Sequence, residues 1–277
     1  RTALAPAPGA VSPVPPAGPD HARANRRRAR SLYVAAGIVP ALVLGVVLGL
    51  VAGVIVGAVV AVVVEIAVAV VAERSAAGRV LRLLGGAPVD EDDEPSLANL
   101  VEGLCATFGV ARPELWLVED PVPNACTIGR PKGKNVLVVT AGLLDGLGLI
   151  EMEGVVAHEL AHVKRGEPVA ATAAVAVVGA LVRMTGNDRL VHAALGVGRE
   201  YQADQLAALT VRYPPGLGEA LEVLQRGPAP AAGSVFSGRR WAMTRWLWID
   251  PMVGRRDGPL QGELDATAVR RSALAEW

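Results

Sequence analysis

The chain has 277 residues with 27 basic and 27 acidic side chains, so its formal net charge is zero, and it is 52% hydrophobic but only 4% aromatic. A mean hydropathy of +0.38, built from Ala, Val and Gly, excludes an average soluble domain. The two cysteines, Cys105 and Cys126, exclude a disulfide framework.

Residues 1–30 read as a disordered tail, Pro- and Ala-rich up to Pro19 and then basic through Arg23, Arg26, Arg27, Arg28 and Arg30. This cluster abuts an apolar run, so it reads as a topology signal in contact with anionic lipid, and no nucleic-acid partner is expected. Leu32 to Ala72 is aliphatic and Gly-rich with one charge, Glu65. A membrane span needs about 20 residues, so residues 31–73 are expected to hold two spans reversed around Gly53. Glu65 then faces the partner helix or lies near an interface. A single long tilted helix is the other reading of the same run.

Arg74, Arg79 and Arg82 follow on a continuing helix, and Asp90 to Glu94 form an acidic hinge, so residues 74–94 read as a linker. Arginines at both ends of the hairpin place both ends in the cytoplasm. The rest, 95–277, is expected to form one domain. Pro95 and Ser96 open a helix to about Gly109, and Leu115–Glu119, Asn124–Arg130 and Asn135–Thr140 read as strands, the last two joined as a hairpin by a turn at Gly133. From Thr140 to Arg226 helices dominate. Residues 168–182 are apolar enough to suggest a third span but short, which favours a buried or re-entrant helix. Gly227 to Gly238 reads as a flexible loop, and Trp241, Trp246 and Trp248 as a cluster for the core or the bilayer interface.

The chemistry is concentrated in His158-Glu159-Leu160-Ala161-His162. On a helix the two histidines lie one turn apart on one face and both imidazoles can bind one Zn²⁺, while Glu159 reaches a water in the metal's open position. Catalytic zinc takes three protein ligands. Glu200 and Asp204 share a face of a later helix, where like charges repel unless a cation offsets them. Glu200 is the candidate third ligand and Asp204 the acceptor that orients a ligand histidine; a solvated acidic face has the same spacing. His192 reads as a surface residue.

His158–His162 followed by Glu200-Tyr201-Gln202-Ala203-Asp204 resembles the HtpX-like and CAAX-prenyl-protease-like membrane zinc metallopeptidases, with their H-E-x-x-H and E-x-x-x-D signatures. Asn124-Ala125-Cys126 resembles the family's substrate-lining edge strand, and Val138 to Leu144 the segment leading into its catalytic helix. The resemblance spans roughly residues 95–226. It implies an α+β, helix-rich fold: a transmembrane helical hairpin, then a zincin-like domain with a small antiparallel sheet. It implies one Zn²⁺ held by His158, His162 and Glu200, with Glu159 as general base and Asp204 behind the ligands. Polypeptide substrates would add as an extended strand at Asn124, Ala125 and Cys126.

The chain departs from the family pattern at two places. Where relatives carry His-Pro it has Asp250-Pro251, which leaves Arg270 as the candidate for stabilising the developing oxyanion, and Cys126 replaces an aromatic residue on the edge strand. The resulting expectation is a multi-pass plasma-membrane endopeptidase facing the cytoplasm and acting on misfolded or membrane proteins. The rival is a membrane-anchored adaptor that keeps the fold and only binds peptides.

Overall fold

The computed structural model describes residues 19–90, 92–130, 135–187, 189–195, 198–251, 253 and 267–276, apart from the side chains of residues 19, 192 and 268. The first helix, α1 (Pro19–Ala52), and the second, α2 (Val54–Leu84), form an antiparallel hairpin. They reverse at Gly53, whose φ of 97° suits a residue without a Cβ. Their backbones touch: a Cβ on Gly57 would fall 2.4 Å from the Gly45 carbonyl oxygen and 2.6 Å from Gly49 Cα. Small residues at these positions allow the approach on which helix packing in lipid depends. Outward-facing Leu50 and Ile55 are 84% and 81% exposed, a surface that water solvates poorly.

The tail expectation is corrected for residues 19–30. They continue α1 into a helix 34 residues long, because Ala and Arg are strong helix formers and because these turns rest on the rest of the protein: Asn25 Nδ2 donates to the Arg165 carbonyl at 3.0 Å and Arg28 Nη1 to that of Leu195 at 2.8 Å. Residues 1–18 lie outside the described part. At the other end α2 outruns its apolar stretch, and its last turns bury Ala76, Ala77, Val80, Leu81 and Leu84 before Gly85 caps it in the left-handed region. The linker helix is thus a continuation of α2 with one face in the core. Each fully buried Leu there contributes about 2 kcal/mol.

A short strand, β1 (Ala87–Pro88), precedes α3 (Pro95–Phe108), which has Pro at its first position, Gly109 as its cap and an inward face of Leu97, Val101, Leu104 and Phe108. Strands β2 (Glu114–Val118), β3 (Ala125–Gly129) and β4 (Asn135–Thr140) complete a sheet of order β1-β2-β4-β3. The sheet is mixed where an antiparallel one was expected. β3 and β4 are antiparallel, but β2 and β4 run parallel. The segment 119–124 reverses the chain and leaves one strand position free beside β2, which β4 then fills on its return. The turn expected at Gly133 lies outside the described residues.

Side chains alternate across the sheet. Leu115, Ala125, Leu137 and Val139 pack with α3 and the next long helices. Cys126, Ile128, Val136 and Val138 face the opposite way into a second core with α2, Phe236, Trp246 and Trp248. Trp246 and Trp248 therefore belong to the protein interior. The short helix α4 (Ala141–Gly146), whose first turn Thr140 caps through Leu143 N–H, leads to α5 (Leu149–Arg165), α6 (Glu167–Thr185), α7 (Arg189–Leu195), α8 (Arg199–Ala208), α9 (Pro215–Arg226), α10 (Gly238–Thr244) and α11 (Thr267–Leu274).

Among the described residues α1, α2 and α6 are long and apolar enough to cross a membrane. The buried share of the most apolar stretch is 50% in α6 against 11% in α1 and 6% in α2. α6 lies against α1, α2 and β3, so protein covers much of its apolar surface, whereas that of the hairpin stays exposed.

Candidate metal centre

α5 runs through the core between the sheet, α8 and α9. Its helical period carries His158 and His162 onto one face, and α8 brings Glu200 and Asp204 against that face. His158 Nε2 lies 3.1 Å from His162 Nε2 and 3.1 Å from Glu200 Oε2, and His162 Nε2 lies 3.5 Å from the same oxygen. Among the described residues these three form the cluster of ligand atoms close enough to share an ion. A tetrahedral zinc with bonds of about 2.0–2.1 Å spaces its donors roughly 3.3 Å apart, so the set fits that ion. The His192 side chain lies outside the described residues.

The far nitrogens are also committed. His158 Nδ1 lies 2.7 Å from Asp204 Oδ1 and His162 Nδ1 lies 2.6 Å from Glu167 Oε2. Each ring donates its Nδ1–H to a carboxylate, which turns the Nε2 lone pair toward the other ligands. Each of the three carboxylates is in turn held by an arginine. Arg270 grips Asp204 through Nε at 2.5 Å and Nη2 at 2.8 Å, Arg165 Nε donates to Glu167 at 2.6 Å, and Arg199 Nη2 reaches Glu200 Oε1 at 2.6 Å.

The electrostatics favour a cation. Burial by itself lowers the His162 pKa, yet the Glu200 charge and the hydrogen bonds with Glu167 and Glu200 outweigh it and hold the ring at about 10. Burial pushes Glu200 up, but Arg199 and His162 bring it well below the usual carboxylate range. Asp204 is likewise lowered against its own burial, chiefly by Arg270. The pocket thus keeps its acids ionised and its nitrogen charged, and a metal ion can take the place of that proton.

Glu159 is 2% exposed and accepts a hydrogen bond from Thr127 Oγ1 at 2.7 Å through Oε2. Thr127 is available because alternation along β3 puts it on the α5 face with Ala125. Sequence reading missed Thr127, Glu167, Arg165 and Arg199. The one usable signal was an acid just past the Gly166 cap, where the left-handed turn (φ 68°) folds the chain back toward His162.

The residues assigned to the substrate groove lie beneath the protein's own chain in this structure. Asn124, Ala125 and Cys126 are fully buried, and the protein's own segment Trp248–Asp250 occupies the outer edge of β3. Trp248 bridges to Cys126, Ile249 N–H donates to the Ala125 carbonyl at 2.9 Å, and Asn124 Nδ2 donates to the Asp250 carbonyl at 3.0 Å. An unpaired edge attracts a strand, and here the chain supplies one. Cys126 also faces the core remote from α5. The Asp250 carboxylate accepts from Thr267 Oγ1 at 3.2 Å. Arg270, the oxyanion candidate, sits on the Nδ1 side of His158 and also donates to the Ile249 carbonyl at 2.6 Å, a position for clamping Asp204.

The profile of peptidase family M48 matches residues 91–201. A protease HtpX homolog of Dictyoglomus thermophilum is 32% identical over 209 residues, 63% of this chain and 67% of that protein. One from Tropheryma whipplei is 34% identical over 211 residues, 64% and 70% of the two chains. A third, from Thermococcus sibiricus, is 32% identical over 196 residues, 65% and 64%. No solved structure matches. With the His-His-Glu cluster on α5 and α8 and the apolar hairpin before it, the chain belongs to peptidase family M48, among its HtpX-like membrane metallopeptidases.

Proposed function

We propose that this membrane protease is a zinc-dependent endopeptidase, and the observation that carries the reading is the convergence of His158, His162 and Glu200 beside a buried Glu159. Zinc held by those three residues would supply Lewis acidity to the scissile carbonyl and to water. Glu159, fixed through Oε2 by Thr127, keeps Oε1 to take the proton of the attacking water and to return it to the leaving amine. Asp204 and Glu167 hold the two rings in the tautomer that presents Nε2. Arg270 and Arg165 keep those carboxylates in place. The substrates best suited are misfolded or membrane polypeptides, bound as an extended strand on β3 once Trp248–Asp250 has left its edge.

The adaptor reading draws on Asp250 in place of histidine and on the covered edge. Peptide binding alone has no need of Glu159 or of the Thr127 bond. Casein incubated with the purified full-length chain separates the two readings. New peptide termini are expected, whereas casein held intact at equal metal loading would favour the adaptor.

We further propose that the hairpin is a two-span anchor, that the peptidase unit is 95–277 with the inner face of α2 added, and that both ends of the hairpin face the cytoplasm of a cell-membrane protein. In intact cells, reporter cysteines at Arg23 and Ala232 are expected to resist an impermeant maleimide, while one at Val54, beside the turn, is labelled. Both native cysteines are buried and stay silent. Labelling at Ala232 with protection at Arg23 would place the peptidase unit outside and overturn the topology.

A further inference from the structure

We infer that the junction between the hairpin and the peptidase unit holds the headgroup of an anionic phospholipid, in a cavity of about 690 Å³ lined by Arg26, Arg30 and Arg74. The inference rests on the membrane placement of the hairpin and is independent of the chemistry at Glu159.

Helix register sets the depth of the cavity. A Cβ at Gly37 would meet Glu65 and one at Gly45 would meet Ala61, so the antiparallel pairing brings the turn of Arg30 beside the turn of Glu73 and Arg74. Ala29 and Tyr33 pack with Ala76 in that same layer. The apolar runs, whose one charge is Glu65, begin at Leu32 on α1 and end at Ala72 on α2. The three arginines therefore lie at the level where acyl chains give way to phosphates.

Charge sets the ligand. Arg26 and Arg30 are one turn apart and project from one face of α1, and Arg74 comes from α2. All three are exposed, and among the described residues none forms a side-chain hydrogen bond or ion pair. Glu73 is the one acid lining the cavity. Guanidinium groups from two helices converging on one space suit a phosphodiester, which accepts paired N–H bonds. The remaining wall includes Val163 and Gly166, at the end of the helix that carries His158 and His162. Contact there is close, since a Cβ on Gly166 would fall 2.8 Å from Ala22 Cα. The headgroup would brace α1 against that helix end.

A phosphate group reaches this space either on a lipid or free in solution, and titration of the detergent-solubilised full-length chain distinguishes them. Fluorescent phosphatidylglycerol is expected to bind about tenfold tighter than fluorescent phosphatidylcholine. Arg26→Gln/Arg30→Gln/Arg74→Gln should erase that preference. Arg23→Gln/Arg27→Gln/Arg82→Gln removes as much charge from the same helices outside the cavity and should keep it. Arg74→Gln alone, the mildest change, should weaken phosphatidylglycerol about threefold, which keeps the test open if the triple variant fails to fold. Equal loss in the two triple variants would mean diffuse attraction and overturn the site, as would unchanged binding in Arg74→Gln. Displacement of the lipid by an equal concentration of inorganic phosphate would assign the cavity to a free anion and overturn the lipid.

Discussion

Glu159→Gln is expected to leave metal bound while proteolysis falls at least about a hundredfold, the scale of a lost general base. Glutamine has the same shape, and its amide oxygen can still accept the Thr127 hydrogen bond, so β3 and α5 keep their contact. It has no carboxylate oxygen to receive a proton. Glu159 is not among the three clustered ligand atoms, so metal content should match the wild type. Cleavage at the wild-type rate would remove Glu159 from the mechanism. Loss of metal would make it a ligand and displace Glu200.

Glu200→Ala should abolish stable metal binding, whereas Asp204→Asn should weaken it by about 10- to 100-fold. The first removes a ligand atom lying 3.1 and 3.5 Å from the two ring nitrogens. The second keeps the shape and an oxygen for Arg270, but weakens the pull on His158 Nδ1. Asparagine is preferred to alanine because alanine would take away the carboxylate closest to Arg270, which has no exposed surface, and breaking a buried ion pair costs about 3–5 kcal/mol. Metal analysis of the purified variants reads the difference. Equal metal in the wild type and Glu200→Ala would reject Glu200.

The parts of the site governed by a local period were legible in the sequence. His158, Glu159 and His162 follow from one turn of helix, and Glu200 with Asp204 from another. The length of the apolar run pointed to two helices reversed around Gly53. Three features depended on events no period encodes. Glu167 reaches His162 only because Gly166 breaks the helix and folds the chain back. Thr127 reaches Glu159 only because β3 presents that face to α5. Trp248–Asp250 covers β3 from more than a hundred residues downstream, and the apolar Trp248 that drives this by filling the second core reads in sequence as equally suited to the bilayer interface. The parallel β2–β4 pair has the same origin, since strand order depends on where a returning chain finds space.

The covered edge also bears on activity. His158, His162, Glu159 and Glu200 are all buried, and the edge strand proposed to receive a polypeptide is covered by the Trp248–Asp250 segment. Its contacts with the edge include the Ile249–Ala125 backbone hydrogen bond, the Asn124 clamp and the Trp248–Cys126 bridge.

The most direct measurement follows zinc content and casein cleavage together in one preparation of the full-length wild-type chain, before chelation, after it, and after zinc is returned. About one zinc per chain is predicted, with cleavage lost as the metal leaves and recovered as it returns. Cleavage that persists in metal-free protein would contradict the assignment of His158, His162 and Glu200 as the centre of the reaction.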